Sequence, residues 1–312
     1  MPLREAYQRQ VALLIRVLPQ VAAEDCFALK GGTAINLFVR DMPRLSVDID
    51  LTYLPVRSRT ESLTAIDAAL RRIADRVRVQ IRGAEIVLSA MQPENIVTKL
   101  LIRYENAQVK IEVTPVLRGC VFAPVLQAVS PTVEEAFGFA EIRVVSFADL
   151  YAGKIVAALD RQHPRDFFDV RDLLANEGIS DDLRRAFLVY LISHNRPMAE
   201  VLAPQRKALE REFLRGFQGM TRSAVRVEEL EAVREELIAA IVGAMPEAHR
   251  QFLLSFKLGN PDWALLDIPG ARELPAVQWR QKNIDGLSSV NRARLIRNLE
   301  GVLFAGRARG AF

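Results

Sequence analysis

The sequence predicts an α+β protein, with a mixed sheet in its first part and a mainly helical part after it. Three observations carry this. Up to residue 113, stretches with the two-residue alternation of strands are interleaved with helical stretches. From residue 147 onward, helical spacing dominates. The chain has 312 residues, long for one core and comfortable for two. Strands first and helices second is the pattern of an α+β domain followed by a helical one. The boundary is expected at Gly178, giving residues 1–178 and 179–312.

The elements follow in order. Residues 4–18 are expected to be helical, with Ala6, Val11, Leu14, Ile15 and Leu18 on one face. Cys26 to Leu29 reads as a short buried strand, broken by Lys30, Gly31 and Gly32. Thr33 is expected to cap a helix carrying Ala34, Ile35, Leu37 and Phe38. A polar connection with Pro43 leads to residues 48–53, which alternate as a half-buried strand does. Residues 60–75 form a helix with Leu63, Ile66, Ala69, Leu70 and Ile73 inward. Strands are expected at 97–103 and 108–113, with Asn106 turning between them. Helices are expected at 147–160, 165–175 and 288–304, and most of the chain between 175 and 256 reads as helical.

Composition narrows the function classes. Half the residues are hydrophobic and 26% are charged, as in ordinary globular proteins. The net charge of +4 permits a polyanionic partner such as RNA without requiring one. Cys26 and Cys120 form no CxxC pair, and His163, His194 and His249 are scattered, so no zinc motif or disulfide framework is present. A reducing, cytoplasmic location is expected. The first residues mix charges into a helical pattern, unlike a secretory signal. No apolar run reaches the roughly 18 to 20 residues of a membrane span.

Chemistry concentrates in the first part. Two glycines between a strand and a helix let backbone approach a ligand closely, and the helix start offers N–H groups to phosphate. Asp48 and Asp50, two apart on a strand, point to one face about 6 to 7 Å apart at Cα. Two carboxylates there repel unless a cation lies between them, and magnesium takes such oxygen ligands. The competing reading is two solvent-facing acids on an edge strand. Glu112, between Ile111 and Val113, faces opposite to both and supplies a third carboxylate. Divalent metals clamp the attacking and leaving oxygens of nucleotide transfer, and a third acid can take the proton of the attacking hydroxyl.

The stretches Leu29 to Ala34 and Arg44 to Leu51 resemble the AbiEii/AbiGii toxin family of nucleotidyltransferases, toxins of type IV toxin–antitoxin and abortive-infection systems. Asp149 to Lys154, followed by Pro164 to Asp169, is similar to a second family signature, and Glu273 to Pro275 with Trp279 resembles a third. The resemblance implies a DNA polymerase β-like nucleotidyltransferase fold. It assigns the nucleoside triphosphate to Gly31, Gly32 and Thr33, magnesium (manganese as an alternative) to Asp48 and Asp50, and the rest of the acidic set to Glu112. Lys154 matches a lysine contacting the nucleotide, and Asp166 or Asp169 an acid near the site. Gly32 stands where many polymerase β-like enzymes have serine, with Thr33 a possible source of the hydroxyl. Glutamate at 112 replaces the commoner aspartate. Ser46, flanking the metal strand with Arg44, is a nucleotide contact, a place where phosphorylation would block a phosphate pocket, or a turn serine.

Basic residues gather later: Arg206, Lys207, Arg211, Arg215, Arg222 and Arg226, then Arg280, Lys282, Arg292, Arg294, Arg297, Arg307 and Arg309. They suit either an RNA acceptor or a solvated helix face. Trp263 and Trp279 suit stacking on bases or closing a core. The expected activity is transfer of a nucleoside monophosphate from a nucleoside triphosphate to RNA, by resemblance at the tRNA 3′ end, blocking translation and opposed by a separately encoded antitoxin. The alternatives are nucleotidylation of a protein hydroxyl and a nucleotide-binding regulatory protein.

Overall fold

A computed structural model describes residues 5–305. Its chain forms two compact units. The first holds residues up to Ser146 together with Phe217–Val225, and the second holds Phe147–Gly216 and the chain from Arg226 onward. The units part at Ser146, and the helices on either side of Gly178 both pack on the helix Phe147–Arg161 of the second unit.

The first unit opens with helix α1 (Glu5–Ala22), which carries Val11, Leu14, Ile15 and Leu18 inward. Strand β1 (Phe27–Lys30) runs directly into helix α2 (Gly31–Ala34) and a π-helical turn (Ile35–Val39). Thr33 therefore lies inside the helix, and the capping position belongs to Lys30, whose side chain makes no capping bond. Strand β2 (Asp48–Tyr53) precedes helix α3 (Arg59–Gln80). Ser58 and Glu61 close a capping box at the start of α3, satisfying two orphan N–H groups. Strands β3 (Glu85–Met91), β4 (Ile96–Tyr104) and β5 (Ala107–Val113) follow, then β6 (Val125–Ala128), helix α4 (Pro131–Phe137) and β7 (Glu141–Val144).

The strands form one mixed sheet in the order β3-β4-β5-β2-β1-β7-β6. β2 pairs parallel with β5 and antiparallel with β1, so it is an interior strand. This removes the reading of Asp48 and Asp50 as edge-strand acids. Ile49, Leu51, Ile111 and Val113 are buried on the face covered by α1 and α3, and burial of such side chains supplies roughly 1.5–3 kcal/mol each. Glu24 bolts the end of α1 to α3 through Arg72 at 2.6 Å and Arg76 at 2.7 Å. The returning segment Phe217–Val225 joins this unit through a bridge between Arg44 and Thr221, and through Leu45 N–H donating to the Met220 carbonyl at 2.9 Å.

The second unit is helical: α5 (Phe147–Arg161), α6 (Pro164–Asn176), α7 (Asp181–Ser193), α8 (Met198–Leu202), α9 (Glu210–Gly216), α10 (Val227–Ile238), α11 (Glu247–Leu258), α12 (Pro275–Asp285) and α13 (Ser289–Leu303). α5 packs on α6 and α7, and α6 on α10. Pro164 takes the first position of α6, where its missing N–H costs nothing. Among the described residues no helix is long and apolar enough to cross a membrane.

Candidate active site

One face of the sheet gathers the charged residues. Alternation in β2 puts Asp48 and Asp50 on the face opposite Ile49 and Leu51, and alternation in β5 puts Lys110 and Glu112 opposite Ile111. Register then sets the neighbours. Asp50 lies between Lys30 of β1 and Glu112 of β5, Glu112 lies next to Lys99 of β4, and Asp48 lies beside Lys110. A row of alternating charge, Lys30, Asp50, Glu112 and Lys99, thus crosses four strands.

Close contacts link the charged groups of this face. Glu112 Oε1 is 2.8 Å from Lys99 Nζ and Oε2 is 3.0 Å from Lys110 Nζ. Lys30 Nζ donates to Thr114 Oγ1 at 3.1 Å. Burial pushes the Asp50 carboxyl above its ordinary value, opposed by the Lys30 charge and reinforced by Asp48. Burial works in the same direction on Glu112, but the hydrogen bonds from Lys99 and Lys110 outweigh it and hold the carboxyl low. Burial disfavours the Lys110 ammonium, yet the Glu112 hydrogen bond and the charges of Asp48, Glu112 and Asp50 hold it above the usual lysine value.

The glycine pair is tied to this face by close approach. Gly31 has φ +78°, and a Cβ added there would lie 2.8 Å from Asp50 Oδ2. At Gly32 it would meet Arg44 Nη2 at 2.7 Å and Ser46 Oγ at 3.0 Å. Thr33 is buried, and its hydroxyl contacts Ser46 Oγ at 3.0 Å and donates to the Asp48 carbonyl. Thr33 thereby fixes the strand that carries the aspartates.

The remaining expected residues lie in the second unit. Lys154 Nζ sits 2.9 Å from Asp166 Oδ1 and 3.0 Å from Asp169 Oδ2, with all three buried. Arg161 Nη2 adds a bond to Asp166 Oδ1 at 2.7 Å. Burial would raise the Asp166 carboxyl, but the charge of Lys154 and the hydrogen bond and charge of Arg161 hold it well below the usual range. Asp166 and Asp169 lie one helical turn apart on α6, and the packing of α6 on α5 brings Lys154 to both.

Sequence reasoning passed over Lys30, Lys99 and Lys110. The signal for Lys110 was available, two residues before Glu112 on the same strand. Lys99 becomes visible only with the register of β4 on β5.

The family model for the nucleotidyl transferase AbiEii toxin of type IV toxin–antitoxin systems matches residues 12–281. The chain belongs to the AbiEii family. This AbiEii chain is therefore a member of a family of nucleotidyltransferase toxins. MenT4, a nucleotidyltransferase toxin from Mycobacterium tuberculosis H37Rv, has a similar fold, with a TM-score of 0.58 and 18% identity over 90% of this chain and 94% of that one. No curated protein matches the AbiEii chain in sequence.

The donor chemistry of the AbiEii face fits a hard divalent cation, since Asp48, Asp50 and Glu112 offer carboxylate oxygens. Among the described residues, however, no three His, Cys, Asp or Glu side chains are arranged to hold a metal ion. Both carboxylate oxygens of Glu112 are engaged, one by Lys99 and one by Lys110.

Proposed function

We propose that the chain transfers a nucleoside monophosphate from a ribonucleoside triphosphate to the 3′ end of tRNA, and so stops translation in the cytoplasm until a separately encoded antitoxin opposes it. The observation that carries this reading is the interior strand β2, whose Asp50 lies against Gly31 and shares its sheet face with Asp48. The acceptor is argued from the family and from the excess of basic residues between Arg280 and Arg309.

Asp48 and Asp50 are the proposed magnesium ligands, with Glu112 completing the set. Magnesium bound there would stabilise the charge that develops on the phosphate oxygens during transfer. Gly31 and Gly32 form the proposed triphosphate-binding turn, packed closely against Asp50, Arg44 and Ser46. The terminal ribose hydroxyl oxygen bonds to the α-phosphorus, the bond from that phosphorus to the bridging oxygen breaks, and pyrophosphate leaves. A carboxylate of this face takes the hydroxyl proton. Thr33 acts through the backbone of Asp48. On the family resemblance, Lys154, Asp166 and Asp169 belong to the nucleotide-binding set.

The test is transfer of α-labelled nucleotides to purified tRNA, intact or with its 3′ terminal diol oxidised by periodate. Label on intact tRNA and none on oxidised tRNA is the expected result. Equal labelling of both would remove the 3′ end as the acceptor, and label on protein with none on RNA would move the acceptor to a protein hydroxyl.

A further inference from the structure

Resting on the reading of this face as the nucleotidyltransferase site, we propose that Lys99 and Lys110 bind the triphosphate, held by Glu112 until that carboxylate turns to a divalent cation.

The charge pattern leads to this exchange. Asp48, Asp50 and Glu112 share the sheet face with Lys30, Lys99 and Lys110, so the face balances its own charge without any ligand. A triphosphate alone would meet three carboxylates and be repelled. A cation alone must compete with two ammonium groups for Glu112. Binding both resolves both conflicts, because the carboxylates gain the cation and the released ammonium groups gain phosphate oxygens. Metal and triphosphate then favour each other's binding, as linkage requires.

Position and exposure suit the two lysines to this role. Their side chains are 47% and 37% exposed, against 29% for Glu112, so both ammonium groups border solvent. Partly exposed lysine–carboxylate pairs are weak and exchange readily. Lys110 also lies in register beside Asp48, one of the proposed metal ligands. Lys30 is different, since its ammonium is committed to Thr114 and lies in the row beside Asp50. Lys154 differs again, because its ammonium is buried between two aspartates.

The test compares wild type with Lys110→Gln, Lys99→Gln, Lys110→Arg and Asp48→Ala, each checked by its melting curve. Two equilibria are measured without acceptor RNA. One is manganese affinity with no nucleotide, and the other is affinity for a nucleoside triphosphate in calcium. Lys110→Gln is expected to weaken triphosphate binding about tenfold and to tighten manganese binding several-fold, since a competitor for Glu112 is gone. Lys110→Arg should retain triphosphate binding. A lysine that merely supports the sheet would weaken both equilibria or neither. Unchanged triphosphate affinity, or manganese affinity that fails to rise, overturns the proposal. If Lys110→Gln does not fold, Lys99→Gln on the more exposed side chain decides by the same two readings. Asp48→Ala reports on the underlying site separately: wild-type manganese affinity in that variant would overturn the metal reading whatever the lysines do.

Discussion

At Gly31 the chain does something that only glycine does cheaply. Its φ of +78° is left-handed, and any Cβ there would press on an Asp50 oxygen. Gly31→Ala should cost about 1–2 kcal/mol of stability and displace the Asp50 carboxylate. Urea unfolding and manganese affinity measured together check this, and wild-type values for both would contradict it. Lys154 makes the complementary case of a residue that buries charge. Lys154→Met removes the ammonium shared by Asp166 and Asp169, at a cost of about 3–5 kcal/mol near neutral pH. The sign with pH follows from the depressed Asp166 carboxyl. Its stabilising contribution is present above the ordinary carboxylate range and lost as pH falls toward the folded value. The stability gap between wild type and Lys154→Met should therefore narrow below about pH 4, read from urea curves across pH. A gap that widens in acid would contradict the assignment. Asp48 and Asp50 were legible because alternation alone places them on one face of β2, while Glu112 drew its weight from their company and from the family resemblance. Their lysine neighbours were not, because a cross-strand pair depends on register between segments far apart in sequence.

At the level of elements, the turn from β1 into α2 and the strand β2 act as one piece. Thr33 joins them by its contacts with Ser46 and the Asp48 carbonyl. Thr33→Val keeps the volume and leaves that carbonyl without its hydroxyl donor, which should cost about 1–3 kcal/mol. It should also weaken manganese binding, because the strand carrying Asp48 loses its tie. A variant with wild-type stability in urea would show that the contact holds nothing. Long elements were read well from sequence: α3 extends the expected 60–75 at both ends, and β4 and β5 each run one or two residues beyond expectation. Three strands were missed. β6 and β7 have four residues each, too few for alternation to register, and β3 is an edge strand with no fully buried face. The expected cap at Thr33 failed for a different reason. The helix starts three residues earlier because Gly31 permits the left-handed turn directly off β1.

Over the whole molecule, chain order and compact units do not coincide. Phe217–Val225 returns to the first unit after seventy residues of the second, and α5 and α6 belong with α7 rather than with the sheet. Neither fact has a local signature, since both depend on which surfaces meet. The basic residues of the later chain divide into roles. Arg206, Arg211 and Arg226 pair with Glu235, Glu212 and Glu229, and Arg292 donates to the carbonyls of Leu258 and Ile284. Trp263 packs against Phe252 with ring centroids 5.2 Å apart, while Trp279 is exposed. Arg307 and Arg309 lie outside the described residues. The central claim is that Asp48 and Asp50 serve nucleotidyl rather than phosphoryl transfer. The direct measurement incubates the protein with magnesium, total RNA and nucleoside triphosphates labelled at either the α- or the γ-phosphate, beside an Asp48→Ala control. The account predicts α label in RNA, no γ label, and α transfer reduced on the order of a thousandfold in the control. Label entering product from the γ-phosphate, or undiminished transfer by Asp48→Ala, would contradict it.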